Sequence, residues 1–253
     1  MRLRVAISVL LVGGLLGPAA AHGAVPPKSA RSVSVIDCQR DTGDGDGAAT
    51  FEARMRALPR TARMQLRFTL QARTPDRPRY ASIAAPNFGA WVSAAPGTAR
   101  YVYTKRVENL LAPASYRVKL RFRWLDATGK VIARDQAYSR PCRQPDPRAD
   151  LSVRSLGVQT LANPARDRYV AYVRNTGRST ADPSSLEFTV AGTLLGSVPV
   201  ASLAPGEGTL VSIDGPACAQ GDELVALADA DEAVDESDEA DNRFTRSCPP
   251  PSG

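Results

Sequence analysis

The sequence predicts an all-β protein, two antiparallel β-sandwich domains in tandem behind an export signal. Three observations carry that prediction. Short runs alternate apolar and polar residues with a period of two, Gly, Pro, Asp and Asn punctuate them at short intervals, and helical periodicity is almost absent. Once the export signal is removed, the remaining length suits two cores of ordinary size.

The signal comes first. Arg2 and Arg4 give a positive start, an apolar run follows from Val5 to Leu16, and Ala19-Ala20-Ala21 offers a small-residue cleavage site. Residues 1–21 therefore read as a signal peptide, with His22 opening the mature chain. The apolar run is shorter than the roughly 20 residues a spanning helix needs, and no later segment is long and uncharged enough to anchor the chain. No Cys follows the signal closely enough for lipid attachment. The expected destination is secreted, extracellular or periplasmic, and not membrane-spanning.

Residues 22–142 read as a basic sandwich. Met64, Leu66, Phe68, Leu70 and Ala72 fall on one strand face, with Gln65, Arg67, Thr69, Gln71 and Arg73 on the other. Tyr116, Val118, Leu120, Phe122 and Trp124 repeat the pattern, which leaves Arg117, Lys119, Arg121 and Arg123 on one exposed face. Further strands are expected at 33–39, 49–57, 80–84, 100–107 and 130–138. A linker at 143–149 contains Pro145 and Pro147.

Residues 150–248 read the same way, with strands expected at 151–159, 168–174, 186–191, 197–202, 209–214, 223–229 and 242–248, and 249–253 as a tail. Asn175-Thr176-Gly177 and Ala204-Pro205-Gly206-Glu207 are turn signals between them. Seven strands at this spacing suggest an immunoglobulin-like sandwich. Strand parity makes the first and seventh strands run the same way. The loop before the last strand should then share a pole with the linker, and a Cys218–Cys248 bridge should lie at the other pole.

Cys38, Cys142, Cys218 and Cys248 are an even set in a chain with an export signal, which points to disulfides. Three connectivities are open, and pairing within each half, Cys38 with Cys142 and Cys218 with Cys248, is the economical one. Zinc is disfavoured because there is no CxxC spacing and no histidine partner.

Charge divides the two halves. Residues 22–148 hold 23 Lys and Arg against 10 Asp and Glu, a net of +13, whereas 149–253 hold 7 against 16, a net of −9. Only Lys28, Lys105, Lys119 and Lys130 are lysines. The dominance of Arg reads first as the codon usage of a GC-rich bacterial genome and second as a binding signal.

Several features of the second half occur together in a fixed order. Asp150-Leu151 opens it, a strand runs into Val173-Arg174-Asn175-Thr176-Gly177, Leu203-Ala204-Pro205-Gly206-Glu207 precedes another strand, and an acidic segment with Asp229, Asp231, Val234, Glu236, Glu239, Asp241 and Asn242 closes it. On these residues the segment 150–248 resembles a CARDB domain, named for a cell-adhesion-related domain found in bacteria. Asp241 stands where that family commonly has the first of two asparagines. The resemblance implies an extracellular β-sandwich used in surface adhesion or as an accessory module, and it supplies no catalytic residues.

Three readings apply to the acidic loop of Asp229, Asp231, Glu236, Glu239 and Asp241. Its carboxylates can cap backbone N–H groups and brace the turn, it can face the Arg-rich first half across a short Pro-containing linker, or it can gather oxygens around Ca²⁺. No other cofactor is expected. The stretch Asp41–Gly47 fails the EF-hand test, because the register that puts Gly47 at the turn places Ala53 where the bidentate Glu belongs. It reads as a Gly/Asp turn.

The ladder Arg117, Lys119, Arg121 and Arg123, joined by Arg67 and Arg73, suits an anionic partner such as a phosphate-bearing wall polymer or an acidic polysaccharide; nucleic acid is an unusual partner for an exported protein. The plainer reading is a solvated sheet face, or one packed on the neighbouring domain. His22 is the sole histidine, which removes Ser-His and Cys-His nucleophile systems from the body of the protein.

The expected function is a secreted bacterial adhesion-type or scaffold protein without catalysis, whose partner is a cell-envelope polymer or another extracellular protein. Its opposite charges also favour salt-sensitive self-association. The alternative is a carboxylate-dependent carbohydrate-active enzyme, or the non-catalytic accessory of one.

Overall fold

A computed structural model describes residues 26–43, 45–163 and 165–250. The expected signal peptide, His22 and Asp44 of the Gly/Asp turn lie outside the described residues.

The first half forms β1 (Arg31–Gln39), β2 (Gly47–Arg56), β3 (Arg63–Arg73), β4 (Ala81–Ser82), β5 (Trp91–Ser93), β6 (Arg100–Leu110), β7 (Ala114–Leu125), β8 (Val131–Tyr138) and β9 (Cys142–Gln144). One sheet has the order β1-β2-β6. The other runs β4-β3-β7-β8, with β5 also on β3 and β9 on β7. All of these pairings are antiparallel. The predicted alternation of β3 and β7 sets the core: Met64, Leu66, Phe68 and Leu70 pack with Tyr116, Val118, Leu120, Phe122 and Trp124 against Phe51, Ala53 and Met55 of the facing sheet. Trp124 satisfies its indole N–H on the Arg56 carbonyl at 2.8 Å, as a buried donor must.

The second half forms β10 (Leu151–Thr160), β11 (Arg166–Asn175), β12 (Ser184–Val190), β13 (Thr193–Val200), β14 (Gly208–Pro216), β15 (Glu223–Ala228) and β16 (Arg243–Ser247). Sheets β10-β11-β14 and β13-β12-β15-β16 enclose Leu151, Tyr169, Ala171, Val173, Leu186, Phe188, Val211, Leu224 and Ala226. Each half has its own hydrophobic cluster, and the two clusters share no residue.

Both short strands absent from the sequence reading, β5 and β9, have only three residues, too few for a period of two to register. β9 takes up Arg143 and Gln144, and Ala149 forms a parallel bridge with Glu236. Only Pro145 to Arg148 then lies between the two sandwiches. Cys38–Cys142 and Cys218–Cys248 are both bonded, with Cα atoms 5.5 and 6.2 Å apart. Among the described residues no helix is long and apolar enough to cross a membrane.

Candidate functional site: an arginine sheet face and a linker pole

Two places collect the residues singled out in the sequence. The first is the outer face of the β4-β3-β7-β8 sheet. Since the core claims the other parity, β7 turns Arg117, Lys119, Arg121 and Arg123 outward, and β3 turns Arg63, Gln65, Arg67, Thr69, Gln71 and Arg73 outward beside them. Register sets the neighbours: Arg67 lies opposite Arg121, Gln65 opposite Arg123, Gln71 opposite Arg117 and Thr69 opposite Lys119. β8 adds Arg134, Gln136 and Tyr138, and β5 places Trp91 beside Arg67. None of the outward positions of these strands is a carboxylate.

The ladder is less exposed than the sequence pattern suggests. Arg121 is open to solvent, whereas Arg117, Lys119 and Arg123 are half-buried, because aromatic rings that the sequence reading had not assigned here lie against them. The Arg123 guanidinium sits 4.0 Å over the Trp91 ring. That of Arg117 lies 3.8 Å from the Tyr80 ring centre and 4.5 Å from that of Tyr138. Gln71 accepts from Arg117 Nε at 3.0 Å, and Gln65 accepts from Arg123 Nε while donating to Ser93. Each flanking guanidinium is thus held in place with N–H groups left over.

The Nε of Arg67, at the centre, is buried without a hydrogen-bond partner. A recess of about 470 Å³ opens between β7 and β8 on this face, lined by Trp91, Arg121, Phe122, Arg123, Arg134, Asp135 and Gln136. Its one acidic residue, Asp135, gives its carboxylate to Arg31 at 2.7 Å.

The second place is the pole of the second sandwich next to the linker, where strand parity puts the acidic loop. Three chain segments meet there. Asn175, fully buried, donates to the carbonyls of Ser179 and Leu203 at 2.8 and 2.9 Å, and its Oδ1 accepts from the N–H groups of Asp150 and Gly177 at 3.2 and 2.9 Å. Its backbone joins the Ala204–Glu207 turn through Gly206 and Glu207. Asp150 in turn accepts from the hydroxyls of Thr176 and Ser237.

Within the acidic loop the carboxylates serve mostly as local caps. Asp229 accepts from the N–H groups of Ala233 and Val234, both at 3.0 Å. Asp231 accepts from the Ser185 hydroxyl and N–H, and the hydroxyl bond first of all lowers its pKa. Glu236 accepts from the Leu151 N–H and from Asn242, and Glu239 also accepts from Asn242. Burial pushes the Glu236 carboxyl up to about 7, despite those hydrogen bonds. Burial, with Asp150 and Asp238 nearby, also raises Asp241.

Oδ1 of Asp241 and Oδ1 of Asn242 are buried and take no hydrogen bond. Even so, among the described residues no three His, Cys, Asp or Glu side chains group to hold a metal ion. The ion pair that links this loop to the preceding chain is Arg148–Asp235, at 2.7 Å, on the linker itself. No arginine of the first sandwich reaches the loop among the described residues.

The Gly/Asp turn is organised by Asp41. Its carboxylate accepts from the N–H groups of Gly43, Gly45 and Ala112, all at 2.9 Å, which lowers its pKa, the Gly43 bond most of all. Gln144 closes the same corner by accepting from the Asp41 N–H and donating to the Gln39 carbonyl, beside the Cys38–Cys142 bridge.

The CARDB family model matches residues 148–246, two residues earlier at each end than the sequence motifs suggest. The remainder of the chain has no such match, and no curated protein sequence matches the chain. Among solved structures, the CARDB domain of a Pyrococcus furiosus protein, crystallised in complex with di-metal ions, is similar at 22% identity and a TM-score of 0.34, over 40% of this chain and 86% of that one. Residues 272–376 of a Methanosarcina acetivorans protein are similar at 24% identity and a TM-score of 0.36, over 40% and 90%. An exo-chitosanase from Amycolatopsis orientalis is similar at 12% and a TM-score of 0.29, over 83% of this chain and 26% of that one. At these scores no ligand or activity of those proteins is carried over.

Proposed function

We propose that this is a secreted, non-catalytic protein of adhesion or scaffold type, in which residues 22–142 and 150–248 are separate domains and the first docks onto anionic cell-envelope material. The observation that carries this reading is the outer face of the first sandwich, a field of arginines with no carboxylate among its outward positions. Such a field attracts polyanions over a range that salt shortens. Two disulfides support an oxidising compartment, and the CARDB match supports a cell-surface role for the second sandwich.

Binding is favoured over catalysis by how the carboxylates are used. Asp229, Asp231, Glu236 and Glu239 are engaged with the N–H, hydroxyl and amide groups of their own chain, and the recess at Trp91 holds one acid, which is already paired. A glycosidase needs two carboxyl groups facing one cleft.

The test is co-sedimentation of the mature protein with isolated bacterial envelopes across a salt series, with and without chelator. Binding that fades with salt and ignores chelator is expected. Failure to sediment in every condition would remove the envelope reading, and salt-sensitive oligomers without envelope binding would replace it with self-association.

A further inference from the structure

The outward face of the first sandwich is more ordered than attraction of any polyanion requires. Arg117, Lys119, Arg121 and Arg123 rise along β7 at every second residue, a ladder of about 20 Å. Trp91, Tyr80 and Tyr138 hold Arg123 and Arg117 flat by cation–π contact, and Gln65 and Gln71 fix their Nε atoms from the neighbouring strand. A guanidinium immobilised in this way loses little freedom on binding, and its remaining edge matches a carboxylate in a bidentate fork.

We propose that this face is a binding strip for a uronate-bearing polysaccharide, whose carboxylates sit on the arginine ladder and whose hydroxyls meet the interleaved Gln65, Gln71, Gln136, Thr69 and Ser93. This rests on the envelope-docking reading and names its ligand class. A guanidinium beside a neutral amide, as at Arg117–Gln71 and Arg123–Gln65, matches an anion beside a hydroxyl, the pairing that a uronate ring presents. Single-stranded nucleic acid needs free aromatic faces for its bases, and here the Trp91 and Tyr80 rings are covered by arginine. The ladder lies on one strand, which fits an extended chain repeating its charge and gives a strip of oligosaccharide length.

The experiment titrates the mature protein with polygalacturonate, dextran, inorganic polyphosphate, single-stranded DNA and phosphatidylglycerol vesicles at low and near-physiological salt. Polygalacturonate should bind most tightly and dextran not at all. Arg121→Gln with Arg123→Gln should weaken polygalacturonate binding by about a hundredfold, as two lost charge-assisted hydrogen-bonding groups imply. Arg56→Gln with Arg100→Gln, an equal charge loss on the other sheet, should weaken it by less than about threefold. Should the first pair fail to fold, Arg121→Lys with Arg123→Lys keeps the charge and removes the fork, and must lower polygalacturonate affinity while sparing polyphosphate. Equal affinity for polyphosphate, DNA or vesicles, or equal losses from the two glutamine pairs, overturns the inference. Envelope binding without polygalacturonate binding overturns it too and leaves the envelope reading standing, whereas loss of both removes the two together.

Discussion

Gly177 lies directly against the linker peptide at Ala149: a Cβ on Gly177 would come within 2.5 Å of the Ala149 carbonyl carbon and of the Asp150 nitrogen. The chain enters the second sandwich through a gap that only glycine leaves open. The Arg178 N–H also donates to the Arg148 carbonyl, and the Thr176 N–H to that of Asp150.

Gly177→Ala should therefore push the linker away and break these bonds. The expected cost is about 1–3 kcal/mol for forced overpacking, read by urea unfolding of the second half. Both tryptophans, Trp91 and Trp124, belong to the first half, so near-ultraviolet signals from Tyr169 and Tyr172 must report it. A variant as stable as the parent would show that the linker is not held at this point.

Asn175 satisfies four separate groups with one buried amide. Asn175→Ala leaves the N–H groups of Asp150 and Gly177 and the carbonyl of Ser179 without this partner, while the Leu203 carbonyl keeps the Ala181 N–H, and should cost about 3 kcal/mol or more. Calorimetry should show the loss in the second half's transition while the tryptophan-reported transition stays in place.

Glu236 makes the second half pH-sensitive in an unusual direction. Its folded-state pKa, about 7, is above the ordinary glutamate value of 4.5, so the folded state holds this proton more tightly than the unfolded chain does. The stabilising contribution is complete below about pH 4.5, is lost as pH rises towards 7, and is absent above it. Glu236→Gln removes the titration. Relative to that variant, the parent should lose roughly 2–3 kcal/mol between pH 4.5 and 8, measured by paired melts. Parallel pH profiles would refute the assignment.

The two disulfides should differ in weight. Cys38–Cys142 joins residues 104 apart and Cys218–Cys248 residues 30 apart. On the loop-entropy account their removal costs about 5 and about 3.5 kcal/mol respectively. Paired Cys→Ala variants compared by denaturant unfolding should follow that order, each in its own half.

Much of the fold was legible because each half buries one sheet face against another, and burial on one side writes a period of two into the chain. The strand Tyr116–Trp124 shows this directly, with all five of its apolar positions buried. Parity alone also placed the acidic loop beside the linker, where Glu236 meets Ala149 and Leu151. The two disulfides followed from cysteine count and from the proline-rich break between the halves.

Register and side-chain partners were not legible, because they depend on residues far apart in sequence. Arg67 faces Arg121 and Trp91 sits under Arg123 only because β3, β5 and β7 pair as they do; β5 is too short to announce itself. The motif Asn175-Thr176-Gly177 was visible as a turn, yet its work is to clamp a linker that precedes it by a whole hairpin. By itself, the sequence determined where the long strands run, which of their faces is buried and how charge is divided. Only the tertiary structure decided which arginines stand together on one ladder and which carboxylates are taken up as caps, since burial is a property of each segment and hydrogen bonds and ion pairs are properties of segments brought together.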